Sequence, residues 1–301
     1  MARYSNWEAA SVTLHNYQVF VSIVEHGTLA GAAHQLNLSP SAISHALASL
    51  EANLGFSLFL RTKTGIRITK SGEEMLVAAR SVLAAHNRLL QQAAQLEGLE
   101  VGSVTIGALS SICAAWIPDI VHGFRSLYPN IEISVEQGGL DDVRTWIAEG
   151  KVDIGFITYP APPGLDSDDL YCDPLICITP RGFKSEGGAS MSVSDLRDVS
   201  LISQRGDYAR DIARLLEQHK IVIKSQMHAI DAASIIAMVE SGLGVAVLPA
   251  LSLARYKYDL DEFQFDPPAC RKIILASLGR EGLSPAASKM RSYILSSAEN
   301  F

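Results

Sequence analysis

The chain has 301 residues, of which 48% are hydrophobic, and its 25 basic and 32 acidic side chains leave a net charge of −7. This length provides the cores of two or three domains. No apolar run approaches the roughly 18 residues that a membrane helix needs, and the amino-terminal stretch lacks the apolar segment and cleavage site of a secretory signal. The sequence therefore disfavours membrane and secreted proteins and predicts a cytoplasmic one.

The charge is divided unevenly along the chain. Residues 1–98 carry a net charge of +1, whereas the remainder carries −8. In the first part, no acidic residue occurs between Glu51 and Glu73, and four basic residues fall in this gap. Such asymmetry indicates a nucleic-acid-binding module joined to an acidic body.

Three short helices are predicted near the amino terminus. Apolar residues at helical spacing begin at Leu14, and Gly27 provides a left-handed end to this first helix. Thr28 is a preferred N-cap for the second helix. Ser39 caps the third, with Pro40 at its first position, where a missing N–H costs nothing. Taken alone, these helices are equally compatible with a core that binds no ligand.

A basic hairpin is predicted after the third helix. The segment FSLFLRTKTGIRITKSG places apolar residues on both sides of a Thr-Lys-Thr-Gly turn. Helices followed by such a hairpin form a winged helix-turn-helix. Arg61, Lys63 and Arg67 of this wing are predicted to attract phosphates, and such contacts position a protein on DNA without reading its sequence.

Base readout is predicted at the start of the third helix, because a recognition helix places its amino-terminal residues on base edges in the major groove. Ser41, Ser44 and His45 point outward there and offer hydrogen-bonding groups. Together with the two caps and the wing, the predicted DNA-binding residues are Thr28, Ser39, Ser41, Ser44, His45, Arg61, Lys63 and Arg67.

This segment closely resembles the DNA-binding half of LysR-type transcriptional regulators. The resemblance rests on FVSIVEHGTLAGAAHQLNLSPSAISHALASLEANLGFSLFLRTKTGIRITKSGEEML, with its Gly-Thr, paired Ala, Leu-Gly, Leu-Phe-x-Arg and Thr-x-x-Gly in order. The family often has Gln-Pro where this chain has Pro40-Ser41, and Arg-Gln where it has His45-Ala46. These positions face bases, so the operator of a relative cannot be transferred to this chain.

A long helix is predicted over residues 71 to about 96, a stretch without Pro and, after Gly72, without Gly. An apolar residue recurs every seven positions, at Met75, Val82, Leu89 and Leu96, which is typical of a coiled coil. Pairing of two chains is therefore preferred over a solitary helix packed on its own body. The resemblance implies the same linker helix, and with it a homodimer or homotetramer, an inverted-repeat operator and contact with RNA polymerase.

Strands and helices alternate beyond the two glycines of EGLEVGSVT. The predicted strands include SVTIGA, IEISVEQG, VDIGFITY, DPLICITP, VSLIS and LGVAVLP; one helix covers SSICAAWIPDIVHGFRSLYP and another residues 207–219. This alternation predicts parallel α/β sheets covered on both faces. A Pro-rich crossing near residues 159–164 divides them into two lobes. The order is similar to that of the family's effector domain, and thus to two-lobed periplasmic solute-binding proteins.

An effector site is predicted in the crevice beyond the carboxyl ends of the strands. Two of these ends lead into helix starts, where free N–H groups favour anions. Hydroxyls, an amide and one guanidinium at these ends suit a small carboxylate or another oxyanion. The predicted contacts are Ser110, Ser111, Thr158, Tyr159, Gln204 and Arg205.

The cysteines, Cys113, Cys172, Cys177 and Cys270, show no CxxC and no Cys/His metal spacing. No metal or other cofactor is predicted. The four are expected to be buried free thiols, and a redox pair of Cys172 and Cys177 remains an open alternative.

The predicted fold class is an N-terminal winged helix-turn-helix and a long linker helix followed by a two-lobed α/β effector domain, with domains at residues 1–70, 71–98 and 99–301. The predicted function is DNA-binding transcriptional regulation modulated by a small-molecule effector. The alternative is a solute-binding module, or an enzyme on the same fold, without a DNA function. The sequence contains no G-x-S-x-G elbow, P-loop or H-E-x-x-H motif, which argues against an enzyme.

Overall fold

The computed structural model describes residues 12–62, 65–185, 188, 190–206, 210–222 and 227–298. The chain divides into two compact units: the first comprises the residues up to Glu97 together with Glu149–Lys151, and the second comprises the remaining residues from Gly98 onward. Among the helices of these described ranges, none has the length and apolar character needed to cross a membrane.

The first unit begins with three helices, α1 (Leu14–His26), α2 (Leu29–Gln35) and α3 (Pro40–Leu54). Gly27 ends α1 with a φ of 68°, a left-handed conformation that glycine adopts at little cost. The Thr28 hydroxyl accepts a hydrogen bond from the Gly31 amide at 2.9 Å, and the Ser39 hydroxyl accepts one from the Ala42 amide at 3.1 Å. Both predicted caps are confirmed.

These three helices share one apolar core. Phe20, Ile23, Ile43 and Leu50 are almost completely buried. The ring of Phe20 meets that of Phe59 edge to face, with centroids 5.6 Å apart. Each buried side chain of this size stabilises the fold by about 1.5–3 kcal/mol, so the core holds α3 in a fixed position against α1.

A hairpin and a long helix complete the first unit: β1 (Phe59–Thr62), β2 (Gly65–Ile68) and α4 (Lys70–Leu96). The two strands are antiparallel, with Leu60 opposite Arg67. The start of α4 passes close to the hairpin, because a Cβ on Gly72 would lie 2.4 Å from the carbonyl oxygen of Leu58. Only glycine fits there. The turn residues 63 and 64, including the predicted contact Lys63, lie outside the described residues.

The strands of the second unit form one large sheet and one small pair. The described strands are β3 (Gly102–Leu109), β4 (Ile131–Gly138), β5 (Ile154–Thr158), β6 (Asp166–Pro180), β7 (Ser190–Met191), β8 (Ser203–Gln204), β9 (His228–Ala229), β10 (Ala246–Pro249), β11 (Leu260–Phe265) and β12 (Cys270–Ser277). In the large sheet the order is β4-β3-β5-β12-β6-β11-β7, and β10 also pairs with β6; β8 and β9 form the parallel pair.

The large sheet is mixed. β3 runs parallel to β4 and β5, as predicted, but β12 is antiparallel to β5 and β6, and β6 is antiparallel to β10 and β11. The prediction of purely parallel sheets is therefore wrong. β11 and β12 are not among the predicted strands. Only four residues separate them. The other strands were predicted from their alternation with helices, and a connection this short cannot contain a crossover helix.

The chain crosses between the lobes within β6, and not at residues 159–164 as predicted. Up to Pro174, β6 pairs with β12, which also pairs with β5 of the first lobe. From Leu175 onward, β6 pairs with β10 and β11 of the second lobe. The Pro-rich segment is only the connection that precedes this strand.

The helices of the second unit cover its sheets. The predicted single helix after β3 is two helices that meet at Trp116, because Pro118 lacks the N–H that a continuous helix would use. The predicted strand over residues 199–203 is reduced to β8 and a bridge between Leu201 and Val245. The predicted start of the next helix at residue 207 lies outside the described residues.

The described helices are α5 (Ser110–Ala115), α6 (Ile117–Leu127), α7 (Leu140–Ala148), α8 (Arg210–Gln218), α9 (Ala232–Glu240), α10 (Ala250–Leu253) and α11 (Pro285–Ser297), with a 3-10 helix at Val193–Arg197.

Both faces of β6 are buried in the second lobe. Leu175 and Cys177 belong to one apolar cluster, whereas Ile176 and Ile178 belong to another on the opposite face. This division follows the two-residue period of a strand. It explains why this part of β6 is a continuous apolar run, although its neighbours are antiparallel.

Two of the four cysteines form a disulfide. Cys172 on β6 is bonded to Cys270 on β12, with Cα atoms 5.6 Å apart, whereas Cys113 and Cys177 are free. The expectation of four free thiols is therefore wrong, and so is the alternative pair of Cys172 and Cys177. Residues five apart on one strand point to opposite faces, while Cys172 stands opposite Lys272, two residues from Cys270.

Candidate functional site

The start of α3 presents small polar side chains. Ser41 and His45 are exposed, and Ser44 is half-buried. The hydroxyl oxygens of Ser39 and Ser41 lie 2.9 Å apart, within hydrogen-bonding distance. Within α3 the sequence contains no lysine or arginine, so this face is nearly neutral. Its groups donate and accept hydrogen bonds, which is the chemistry that reads base edges.

α3 is attached to α1 by a buried amide that the sequence analysis did not single out. Asn16 is 6% exposed. Its Oδ1 accepts hydrogen bonds from the amide and the hydroxyl of Thr13, and its Nδ2 donates to the carbonyl of Ala46 at 3.0 Å. Ala46 lies directly after His45, so this bond fixes the backbone beneath the predicted base contacts. The signal in the sequence was an asparagine among the apolar residues of an amphipathic helix.

The hairpin stands next to α3 and is joined to it. Glu51 near the end of α3 accepts hydrogen bonds from the amides of Leu58 and Phe59, at 2.7 and 3.2 Å. This anchor was not predicted from the sequence, because a single glutamate on a helix resembles an ordinary surface residue. Arg67 on β2 is exposed, and the backbone of Arg61 pairs with Ile66 across the hairpin. Thr28, at the start of α2, is exposed as well.

Ser110 and Ser111 begin α5, as the sequence placed them, but their environments differ. Ser110 is exposed, whereas Ser111 is 7% exposed and its hydroxyl accepts a hydrogen bond from Nη2 of Arg271 at 2.6 Å. Nε of Arg271 donates to the buried carboxylate of Asp173 at 2.7 Å. Burial raises the pKa of Asp173, and Arg271 opposes that shift. The Ser111 hydroxyl therefore belongs to a buried ionic network.

Thr158 ends β5, Tyr159 follows it, and both lie close to the second lobe. Thr158 is 2% exposed, and its hydroxyl donates to the carboxylate of Asp211 on α8. Burial raises the pKa of Asp211, while Arg271 and Arg214 act in the opposite direction. Tyr159 is exposed, and the ammonium group of Lys272 lies 5.2 Å from its ring centroid. These two predicted residues thus lie where the lobes meet.

Gln204 ends β8 in the second lobe, and Arg205 follows it. Nε2 of Gln204 donates to the carbonyl of Ile230 at 2.7 Å, and the backbone amide of Arg205 donates to the carbonyl of Ala229 at 2.8 Å. The Arg205 side chain is exposed. Within the residues that the structure describes, the hydrogen bonds of these two groups go to the segment 229–230 and not to the first lobe.

Three arginines on α7 and α8 surround the end of β5, and the sequence analysis missed all of them. Arg144 donates to the carbonyls of Thr158 and Pro160 at 3.0 and 2.9 Å, and Arg214 donates to that of Tyr159 at 3.4 Å. Arg210 forms an ion pair with Asp141 across the lobes at 2.5 Å. Burial and the nearby Arg210 lower the pKa of Arg144. The effector contacts were predicted from the ends of strands, and these arginines lie on helices. In the sequence, their charges look like those of a solvent-exposed helix face.

Both units match known protein families. Residues 14–73 match the model described as a bacterial regulatory helix-turn-helix protein of the lysR family, and residues 97–299 match the LysR substrate binding domain. The transcriptional regulator YvbU of Bacillus subtilis is 27% identical over 81% of this chain and 83% of its own length. The transcriptional activator protein LysR of Escherichia coli is 23% identical over 82% of this chain and 80% of its own.

Solved structures share the fold. Full-length OxyR from Pseudomonas aeruginosa superposes with a TM-score of 0.77 at 21% identity, over 95% of this chain and 94% of that one. Full-length CbnR in complex with its target DNA gives a TM-score of 0.64 at 22% identity, over 95% of this chain and 100% of that one. The predicted order of a winged helix-turn-helix, a long helix and a two-lobed α/β domain is confirmed.

Proposed function

Because this chain belongs to the LysR family of transcriptional regulators, we propose that it binds an inverted-repeat operator as a homo-oligomer and that a small carboxylate or related anion changes this binding. The relatives YvbU and LysR are named as transcriptional regulators, and the two family matches make the chain a DNA-binding regulator with an effector-binding domain. The operator symmetry, the oligomeric state and the effector class are the proposed parts.

The exposed, nearly neutral start of α3 is the observation that carries the proposal. Asn16 and the apolar core fix this surface, and Glu51 fixes the wing beside it. We assign base readout to Ser41, Ser44 and His45, and phosphate contact to Arg61, Lys63 and Arg67, with Thr28 and Ser39 at the edges of the same surface. Phosphate contacts supply affinity, and the uncharged groups supply sequence preference.

Self-pairing is assigned to α4. Along its seven-residue repeat, Val82, Leu89 and Leu96 are 42%, 61% and 91% exposed. A row of apolar side chains at this spacing is buried when two such helices pair. Two identical subunits then place their two winged helix-turn-helix domains on the half-sites of a symmetric operator. We propose at least a homodimer, which acts in the cytoplasm together with RNA polymerase.

The effector is assigned to the space between the two lobes. Ser110, Ser111, Thr158, Tyr159, Gln204 and Arg205 are its proposed contacts. Arg144 donates to the carbonyls at the same end of β5, and Arg210 on α8 pairs with Asp141 on α7. These two guanidinium groups favour an anion over a cation or a neutral molecule. A small carboxylate meets this requirement, because guanidinium groups bind carboxylates through paired hydrogen bonds.

One experiment tests the DNA part of the proposal. Duplexes are selected from a random pool with the full-length protein, and affinities for the selected and a scrambled duplex are measured over a range of salt concentrations. We expect a symmetric consensus and a linear fall of log K against log salt, with a slope of about −0.9 per neutralised phosphate. No preference between the duplexes would favour the alternative, a solute-binding module.

The same selection, repeated with a panel of small carboxylates and their neutral amides, tests the effector class. We expect one or more acids, and none of the amides, to change the operator affinity. A response to neutral or cationic molecules only would contradict the assignment of an anion.

A further inference from the structure

A cavity of about 420 Å³ lies beside α8 in the second unit. Its walls come from α8, from Tyr159 and from the start of β12, and of the six proposed effector contacts only Tyr159 borders it. Its volume falls within the range of about 300–1,000 Å³ typical of small-molecule sites. The cavity is therefore large enough for a ligand of its own.

The walls of this cavity combine an apolar part with a cationic part. Leu175, Leu215 and Pro267 contribute to the apolar part. The cationic part consists of Arg214, Arg271 and Lys272, against Asp211 as the single carboxylate among the described residues that border the cavity. Such a combination is complementary to a molecule with a hydrocarbon body and one negatively charged end.

Arg271 gives the cationic part a fixed geometry. Its side chain is 6% exposed, and the bonds to Asp173 and Ser111 hold Nε and Nη2 in place. A guanidinium positioned in advance loses little conformational entropy when it binds an anion. Arg214 and Lys272 are about half exposed, at 45% and 46%. The exposed ion pair of Lys272 with Asp169 contributes little and is readily exchanged for a ligand.

We propose that this cavity is a second ligand site, separate from the effector contacts at Ser110, Gln204 and Arg205, which binds an apolar carboxylate. The hydrocarbon body packs on Leu215 and Pro267, and the carboxylate pairs with Arg214 and Arg271. Arg214 and Leu215 belong to the second lobe, whereas Arg271 bonds to Asp173 and Ser111 within the first, so a ligand here contacts both lobes.

The first test uses 2-naphthoate and its neutral counterpart 2-naphthamide, with the full-length protein and no DNA. Naphthalene fluorescence anisotropy measures the binding of each. We expect a Kd for naphthoate at or below about 1 mM, and binding of the amide at least about 10-fold weaker because it lacks the charge. Absence of naphthoate binding, or equal binding of the two probes, would overturn the proposal.

Two variants locate the bound probe. Arg214→Gln is expected to weaken naphthoate binding about 10-fold and to leave naphthamide binding unchanged. Gln218→Trp, on the exposed face of α8 that borders the cavity, is expected to abolish binding of both probes by filling the space. Glu217→Trp is the matched control, since Glu217 is the exposed neighbour on α8 and does not border the cavity.

Melting curves of the three variants confirm that each is folded. Full binding by Arg214→Gln or Gln218→Trp, or an equal loss in Glu217→Trp, would place the probe elsewhere and reject the site. The outcome is independent of the proposed regulatory function, because operator binding is measured separately and without a probe.

Discussion

The buried polar side chains of Asn16 and Ser111 have hydrogen-bond partners, and those partners decide what each side chain can do. The side-chain amide of Asn16 forms hydrogen bonds with Thr13 and Ala46, and the Ser111 hydroxyl accepts a hydrogen bond from the guanidinium of Arg271. Leaving such a group buried without a partner costs about 1–3 kcal/mol. These residues therefore serve the fold first. Ser41 and His45, which are exposed, are available to a partner molecule.

Base readout can be tested on single residues of α3. We expect Ser44→Ala and His45→Ala each to reduce the preference for the selected operator over a scrambled duplex by about 1–3 kcal/mol, because each removes a hydrogen bond to a base. Affinity for the scrambled duplex should remain the same. Anisotropy titrations on both duplexes measure the difference.

Ser49→Ala is the control for this pair, because Ser49 is an exposed serine in the second half of the same helix. Its substitution should leave the preference unchanged. If His45→Ala kept the full preference as well, the assignment of the recognition surface would be wrong.

The reactivity and number of the free thiols can be predicted for the individual cysteines. Burial raises the pKa of the Cys113 thiol to about 11 and that of the Cys177 thiol to about 12. Both are therefore protonated and slow to react with a thiol reagent at neutral pH, and the reaction of Cys113 should accelerate as the pH rises toward 11. After denaturation without a reductant we expect two reactive thiols, and four after reduction.

Four thiols without a reductant would show that Cys172 and Cys270 are not bonded in the purified protein. A Cys172→Ser variant has three thiols in both cases, so the count before reduction rises from two to three if the disulfide exists and falls from four to three if it does not.

At the scale of whole elements, the wing and α3 divide the task of binding DNA. Arg67 is exposed on β2, and we expect Arg67→Gln to weaken binding to selected and scrambled duplexes alike. The loss of one phosphate contact should make the slope of log K against log salt shallower by about 1. Salt titrations of both duplexes provide the measurement.

The matched control is Arg125→Gln, since Arg125 is an exposed arginine on α6 in the second unit. It should change neither affinity nor slope. A loss confined to the selected duplex in Arg67→Gln would mean that this arginine reads bases and not phosphates.

The repeat along α4 predicts the behaviour of a second element. Leu89 is 61% exposed at the centre of the repeat. We expect Leu89→Asp to raise the dissociation constant of the oligomer by at least about 100-fold, because two leucines lose their burial at about 1.5 kcal/mol each. Analytical ultracentrifugation measures the shift.

Asn87→Asp adds the same charge to an exposed position of α4 outside the repeat, and should leave the association intact. If Leu89→Asp assembled like the unmodified protein, pairing through this helix would be refuted.

For the molecule as a whole, the sequence predicted the parts that depend on local patterns. The helices α1 to α3, their caps, the hairpin and α4 follow from periodicity and from Gly27, Thr28 and Ser39. Contacts between residues far apart in the sequence could not be predicted from such patterns. The bond from Asn16 spans 30 residues, and that between Arg271 and Ser111 spans 160. No local pattern marks such pairs, and none marks the register of β12 against β6.

Regulation by an effector makes a prediction for the complete protein. If an acid changes operator affinity by a given factor, the operator must change the affinity for that acid by the same factor, because both bind to one set of states. Calorimetric titration of the acid, with and without operator duplex, measures the second factor. Unequal factors would show that the acid acts through an additional binding event.

The pairing of β6 with β12 suggests how the two-lobed second unit evolved. Pro174 and Cys270 stand opposite each other, so the 175–269 segment leaves and returns at adjacent positions of two antiparallel strands. A tight turn of two residues could join them equally well. The second lobe thus has the topology of an insertion in a hairpin of the first, and exchange of this insert between homologues offers a route to new ligand preferences without a change in the surrounding sheet.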